Sequence, residues 1–130
     1  FMKVKNLLAI LLALTFLVIP VSAEENDDLI QPHDMSIASG YLYDATQFTE
    51  TYKLTYENGR FVNFYVENLG DVSVEITING AGAKTLAPGQ SGHISCAVIF
   101  LIPEYKFKAV PTPNGGNISI YYSIAQRDSI

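Results

Sequence analysis

The chain has no tryptophan, a single cysteine and only two histidines among its 130 residues. One cysteine cannot close an intrachain disulfide, so the fold has to be held by its core. His33 and His93 lie far apart, and no His-x-x-x-His, Cys-x-x-Cys or acidic calcium-loop spacing accompanies them. No metal or other cofactor is therefore expected. Ser91 and Ser95 lack a nucleophile-elbow context, and no glycine-rich loop leads into a helix. With no catalytic constellation visible, the expectation is a protein that is not an enzyme. Basic residues are scarce too, at 8 Lys+Arg against 13 Asp+Glu, and Lys3 and Lys5 stand near the N-terminus. Beyond residue 23 the balance is therefore 6 against 13, a net charge of −7. Such a surface, with no Lys/Arg stripe, repels a phosphate backbone, which excludes nucleic acid and disfavours an anionic membrane.

What is present begins with a three-part N-terminal segment. Met2-Lys3-Val4-Lys5-Asn6 is a short basic stretch, Leu7 to Ile19 is apolar, and Pro20-Val21-Ser22-Ala23 ends in the small residues that signal peptidase needs. Residues 1–23 read as a signal peptide and 24–35 as an acidic flexible segment, leaving 36–130 for a β-sandwich domain. The expected location is secreted or extracellular. Two other readings stay open. An uncleaved leader would act as an anchor and is the one route to membrane contact, although Leu7 to Val21 is short for a bilayer span. Phe1 before Met2 followed by apolar residues resembles the start of a mature type IV pilin, but Lys5 stands where that pattern has Glu.

From Ser36 onward, apolar residues recur at every second position between turn residues, the pattern of half-buried antiparallel strands. Seven strands are expected: Ser36 to Tyr43, Gln47 to Glu57, Phe61 to Asn68, Val72 to Ile78, Ser91 to Leu101, Glu104 to Val110 and Asn117 to Gln126. Phe48, Tyr52, Leu54 and Tyr56 share one face of the second, with Glu50 the misfit among them. Asn58-Gly59 predicts a two-residue type I′ hairpin into the third strand, because that turn needs positive φ at both positions. Ile94, Cys96, Val98 and Phe100 share the inward side of the fifth, which makes Cys96 a small buried hydrophobe. His93 and Cys96 then point to opposite faces. Ala97, Ile99 and Leu101 make the far half of that strand apolar on both sides, so a neighbouring segment or another copy is expected to cover it.

The fold class expected is all-β, a single antiparallel sandwich of immunoglobulin-like or jelly-roll-like arrangement. Phe64-Tyr65-Val66-Glu67-Asn68-Leu69-Gly70, the Val72 to Ile78 strand and Leu86-Ala87-Pro88-Gly89-Gln90-Ser91 resemble the core of prokaryotic extracellular Ig-like domains of the CARDB and related adhesion-associated type. That resemblance implies a surface setting and names no ligand.

The chain has eight tyrosines. Tyr52, Tyr56, Tyr105 and Tyr122 have core parity, whereas Phe61, Tyr65 and Tyr121 have the opposite parity and are the candidate contact platform for a protein or glycan partner. Asn117-Ile118-Ser119 matches an N-glycosylation acceptor, a triplet frequent by chance. The function expected is a secreted, non-enzymatic binding or surface-interaction module. The alternatives are a subunit of an extracellular filament or homo-oligomer and a carbohydrate-binding module.

Overall fold

A computed structural model describes residues 34–128, and the leader, the acidic segment through His33 and the Ala23-Glu24 bond lie outside the described residues. Eight strands follow one another: β1 (Met35–Ala45), β2 (Phe48–Lys53), β3 (Phe61–Asn68), β4 (Ser73–Ile78), β5 (Ala81–Leu86), β6 (Ser91–Ala97), β7 (Glu104–Thr112) and β8 (Ile118–Arg127). They form two antiparallel four-stranded sheets, ordered β1-β8-β3-β6 and β2-β7-β4-β5. Only β4 and β5 are both consecutive and paired; every other connection carries the chain from one sheet to the other.

The core lies between the sheets, where strand alternation aims the apolar set of each inner face at the other. Val62, Phe64, Val66, Ile118, Ile120 and Ile124 of one sheet meet Phe48, Val74, Ile76, Phe107 and Ala109 of the other, all buried. Phe64 meets Phe107 edge-on across the gap, with ring centroids 5.4 Å apart.

Four expectations are corrected. Asn58-Gly59 is not a hairpin turn: β2 pairs with β7 while β3 pairs with β6 and β8. The second strand stops at Lys53, and Tyr56 to Asn58 form one 3₁₀ turn that carries the chain across to the other sheet. Tyr56 consequently points out to solvent at 48% exposure and does not join the core. Gly59, at φ 146°, lies against β8, where a β-carbon would stand 2.7 Å from the Arg127 backbone nitrogen. Gln126, fully buried, donates its side-chain amide to the Thr55 and Gly59 carbonyls at 2.8 and 3.0 Å and so holds the crossover in place.

The second correction concerns strand count. Ala81 to Leu86 is a strand although only Leu86 is buried, so no alternation marks it in the sequence. It forms because Asn79 and Gly80, at φ 53° and 78°, make the two-residue hairpin turn that Asn-Gly favours. Thirdly, the last two inner-sheet contacts of β7 run through Pro111 and Thr112, past the expected end at Val110.

Fourthly, β6 ends at Ala97 and no strand runs through Ile99 and Leu101. Val98 is still buried and donates its N–H to the Arg60 carbonyl, 2.8 Å. The chain then reverses in a turn closed by Ile102 N–H to the Ile99 carbonyl, 3.1 Å, while Ile99 N–H donates to the Tyr105 hydroxyl, 2.9 Å. Of the proposed assembly residues, Ala97 closes β6 while Ile99 and Leu101 lie in an exposed turn, and Phe100, expected inward, is 84% exposed.

Candidate functional site

The outward face of the first sheet is built from alternate residues of four strands. Register places Tyr41 of β1 opposite Tyr121 of β8, Glu67 of β3 opposite Tyr121, and Tyr65 of β3 between Ser123 of β8 and His93 of β6. Four tyrosine rings thereby form a continuous row. Tyr43 and Tyr41 are nearly parallel, with centroids 5.9 Å apart and planes 4° from each other. Tyr41 meets Tyr121 at 5.0 Å, and Tyr121 meets Tyr65 at 6.3 Å, close to edge-on.

Exposure is graded along the row. Tyr41 and Tyr43 are 62% and 64% exposed, Tyr121 is half-buried, and Tyr65 is buried at 7%. The Tyr65 hydroxyl donates to the Glu67 carboxylate at 2.7 Å. Phe61, Tyr65 and Tyr121, placed on one face by sequence parity, do share it, but Phe61 is half-buried on the Ala97 side of the sheet and Tyr65 is buried. Tyr41 and Tyr43 are the exposed pair, and the signal for them was present in Tyr41-Leu42-Tyr43, where Leu42 packs inward and the tyrosines flank it on the other side.

β1 is also an edge of its sheet. Its last turn is bent by Asp44, at φ 51°, whose N–H donates to the Ser119 hydroxyl at 3.1 Å. At the other end Arg127 clamps β8 to the beginning of β1 through Asp34, with Nε and the terminal nitrogen both 3.1 Å from one carboxylate oxygen. The strand that carries the exposed tyrosines is therefore fixed near both its ends.

Cys96 is half-buried against the core, and burial pushes its thiol up, away from the reactive thiolate. His93 lies on the outer face, apart from it, paired in register with Tyr65. Among the described residues no three His, Cys, Asp or Glu side chains gather as a metal site would require. No family model matches the chain, and no curated protein matches it.

On the inner side of β2, Glu50 is the charged residue among apolar ones, and it has a partner. The Tyr52 hydroxyl donates to its carboxylate at 2.6 Å. That hydrogen bond, followed by burial, holds the Tyr52 phenol up at about 12. Burial and the Glu50 charge raise Tyr122 as well. With the folded value above the ordinary one of 10.0, the unfolded chain loses its proton first. The stabilisation is complete below the unfolded value and is lost as the pH rises through the folded one. An ultraviolet titration should show a phenol that ionises near pH 12 and returns toward the ordinary value in Glu50→Gln. An unchanged curve in that variant would mean that Glu50 is not the cause.

Proposed function

We propose that the protein is a secreted, non-enzymatic binding module that holds a protein partner on the outer face of the first sheet, at Tyr41 and Tyr43. The observation that carries this reading is the exposed, nearly parallel tyrosine pair on an edge strand, backed by Tyr121 and Tyr65. Tyrosine gives a large contact area for little lost side-chain freedom, and a row braced by ring contacts has little left to lose on binding. The edge strand adds backbone groups on which an extended segment of a partner can pair.

The strand order β1-β8-β3-β6 with β2-β7-β4-β5 supports reading the sandwich as a jelly roll in preference to an immunoglobulin-like domain. The CARDB-like motifs fall at the β3–β4 and β5–β6 connections, where Asn68 and the Pro88-Gly89 turn use them for chain reversal. Asn68 donates to the Val72 and Leu86 carbonyls and accepts from Gly70 N–H. The filament alternative rested on a two-sided strand and on Phe1; β6 stops short of the first, and Phe1 lies outside the described residues.

A photoreactive phenylalanine analogue at position 43, with position 84 as control, tests the surface in the secreted protein. A partner protein should attach at 43 and not at 84, with the yield falling about tenfold in Tyr41→Ala, the scale of a lost aromatic hot spot. Glycan-array binding lost in Tyr41→Ala, without a protein adduct, would reassign the partner to carbohydrate. The absence of both results would refute the surface. The intact mass of the secreted form should begin at Glu24.

A further inference from the structure

Asparagine followed by glycine is the pair in which the next backbone nitrogen most easily attacks the asparagine side-chain amide, because glycine has no side chain to shield that nitrogen. The sequence holds three such pairs, Asn58-Gly59, Asn79-Gly80 and Asn114-Gly115. As dipeptides they are equivalent. Attack requires rotation about the Cα–C and Cα–Cβ bonds of the asparagine, so that the nitrogen comes over Cγ, and the fold constrains the three pairs differently.

Asn79 is held at both its main chain and its side chain. Its N–H donates to the Lys106 carbonyl and its Oδ1 accepts from the Lys106 N–H, each at 2.8 Å, so neither part is free to turn. At Asn58 the constraint falls on the backbone. Asn58 N–H donates to the Thr55 carbonyl, and Gly59 N–H, the group that would attack, donates to the Tyr56 carbonyl, both at 3.1 Å. Gly59 is also buried, and its carbonyl accepts from the Gln126 amide. Asn114 and Gly115 have no such ties. Both are exposed in the connection from β7 to β8, outside either strand, and neither makes a hydrogen bond within the described residues. A β-carbon added at Gly115 would meet nothing within 4 Å, which leaves room for the rotation and for water.

We propose that Asn114 is a site of spontaneous modification in the folded protein, where the side-chain amide converts to aspartate and isoaspartate while Asn58 and Asn79 keep theirs. The Gly115 nitrogen, after giving its proton to solvent base, forms a bond to Asn114 Cγ. The Cγ–Nδ2 bond then breaks, and ammonia leaves after taking up a proton from water. Water opens the cyclic imide that results. Addition at Cγ leaves an ordinary main chain with an aspartate at 114, whereas addition at the main-chain carbonyl carbon frees that carboxylate and leaves the chain running through Cγ, as isoaspartate. Either product adds a negative charge to a chain in which acidic residues already exceed basic ones. A lengthened main chain is tolerated there, at an exposed loop where no strand pairing has to shift.

The test incubates the full chain at mildly alkaline pH, folded in one sample and unfolded in guanidinium chloride in another, and follows each asparagine by peptide mass spectrometry with fragmentation that separates isoaspartate from aspartate. In the folded sample Asn114 should convert to both products, faster as the pH rises, with Asn58 and Asn79 at least about tenfold slower because each must first open locally. In the unfolded sample the three rates should draw together. Asn114→Gln should remove the more acidic species that isoelectric focusing of the aged folded protein resolves. Conversion of Asn58 or Asn79 as fast as Asn114 in the folded chain would overturn the proposal, as would an Asn114 that keeps its amide. The same preference for Asn114 in the unfolded sample would place the selectivity in the neighbouring sequence and remove the role of the fold. Aspartate without isoaspartate would mean direct hydrolysis of the side chain, with no attack by Gly115.

Discussion

Gly59→Ala should lower the unfolding free energy by about 3–5 kcal/mol, the sum of a disallowed backbone conformation and a clash between main chains. At φ 146° a β-carbon would lie 2.7 Å from the Arg127 nitrogen, 2.9 Å from the Gln126 β-carbon and 3.0 Å from the Gln126 carbonyl carbon. Neither partner can yield cheaply, because β8 is paired with β1 on one side and β3 on the other at this level. Displacing the crossover would also break the two bonds from the Gln126 amide. Gly80→Ala is the control: its φ is also positive, at 78°, but a β-carbon there meets nothing within 4 Å. It should cost about 1 kcal/mol. Urea unfolding of both variants decides the matter, and equal losses would remove the claim that close approach to β8 is what Gly59 provides.

Phe107→Ala should cost about 3–5 kcal/mol, a large share of the ~5–15 kcal/mol by which a domain of this kind is stable. Phe107 is fully buried near the middle of β7, touching Phe64 in the facing sheet and Tyr52 on the neighbouring strand, with ring centroids at 5.4 and 6.2 Å. Removing the ring opens a cavity at the seam between two sheets, where pairing on both sides stops the backbone from collapsing into it. Phe100→Ala removes the same atoms from an 84% exposed site and should change stability by no more than about 0.5 kcal/mol. Thermal melts that placed the two variants together would contradict the assignment of Phe107 to the core and Phe100 to the surface.

Two of the three Asn-Gly dipeptides show how far local chemistry reaches. Asn79-Gly80 makes the hairpin turn expected of the pair, with both φ values positive, and Asn79 is fixed there by accepting from Lys106 N–H at 2.8 Å. Asn58-Gly59 has the same two residues, yet Asn58 ends a 3₁₀ turn and Gly59 serves a close approach to a strand distant in sequence. An isolated hairpin satisfies its own partners, but β2 and β3 each find better partners elsewhere, and the dipeptide conforms to that choice. The site shows the same division. Parity placed Phe61, Tyr65 and Tyr121 on one face, but whether a face-side residue meets water depends on its neighbours in adjacent strands, and those bury Tyr65 while leaving Tyr41 and Tyr43 open.

By itself the sequence determined that residues beyond Ser36 fold as antiparallel β-structure, because the period of two in residues such as Val74, Ile76 and Ile78 suits no other element, and all three are buried. It also determined that these 130 residues close no disulfide among themselves, since they hold a single cysteine, Cys96. Only the tertiary structure decided the sheet order, the conversion of Ser91 to Leu101 into a shorter strand and an apolar turn, and the identity of the exposed tyrosines. Strand alternation is local and can be read along one segment. Pairing and exposure are set by which distant segments buy the most burial together, and no single segment records that.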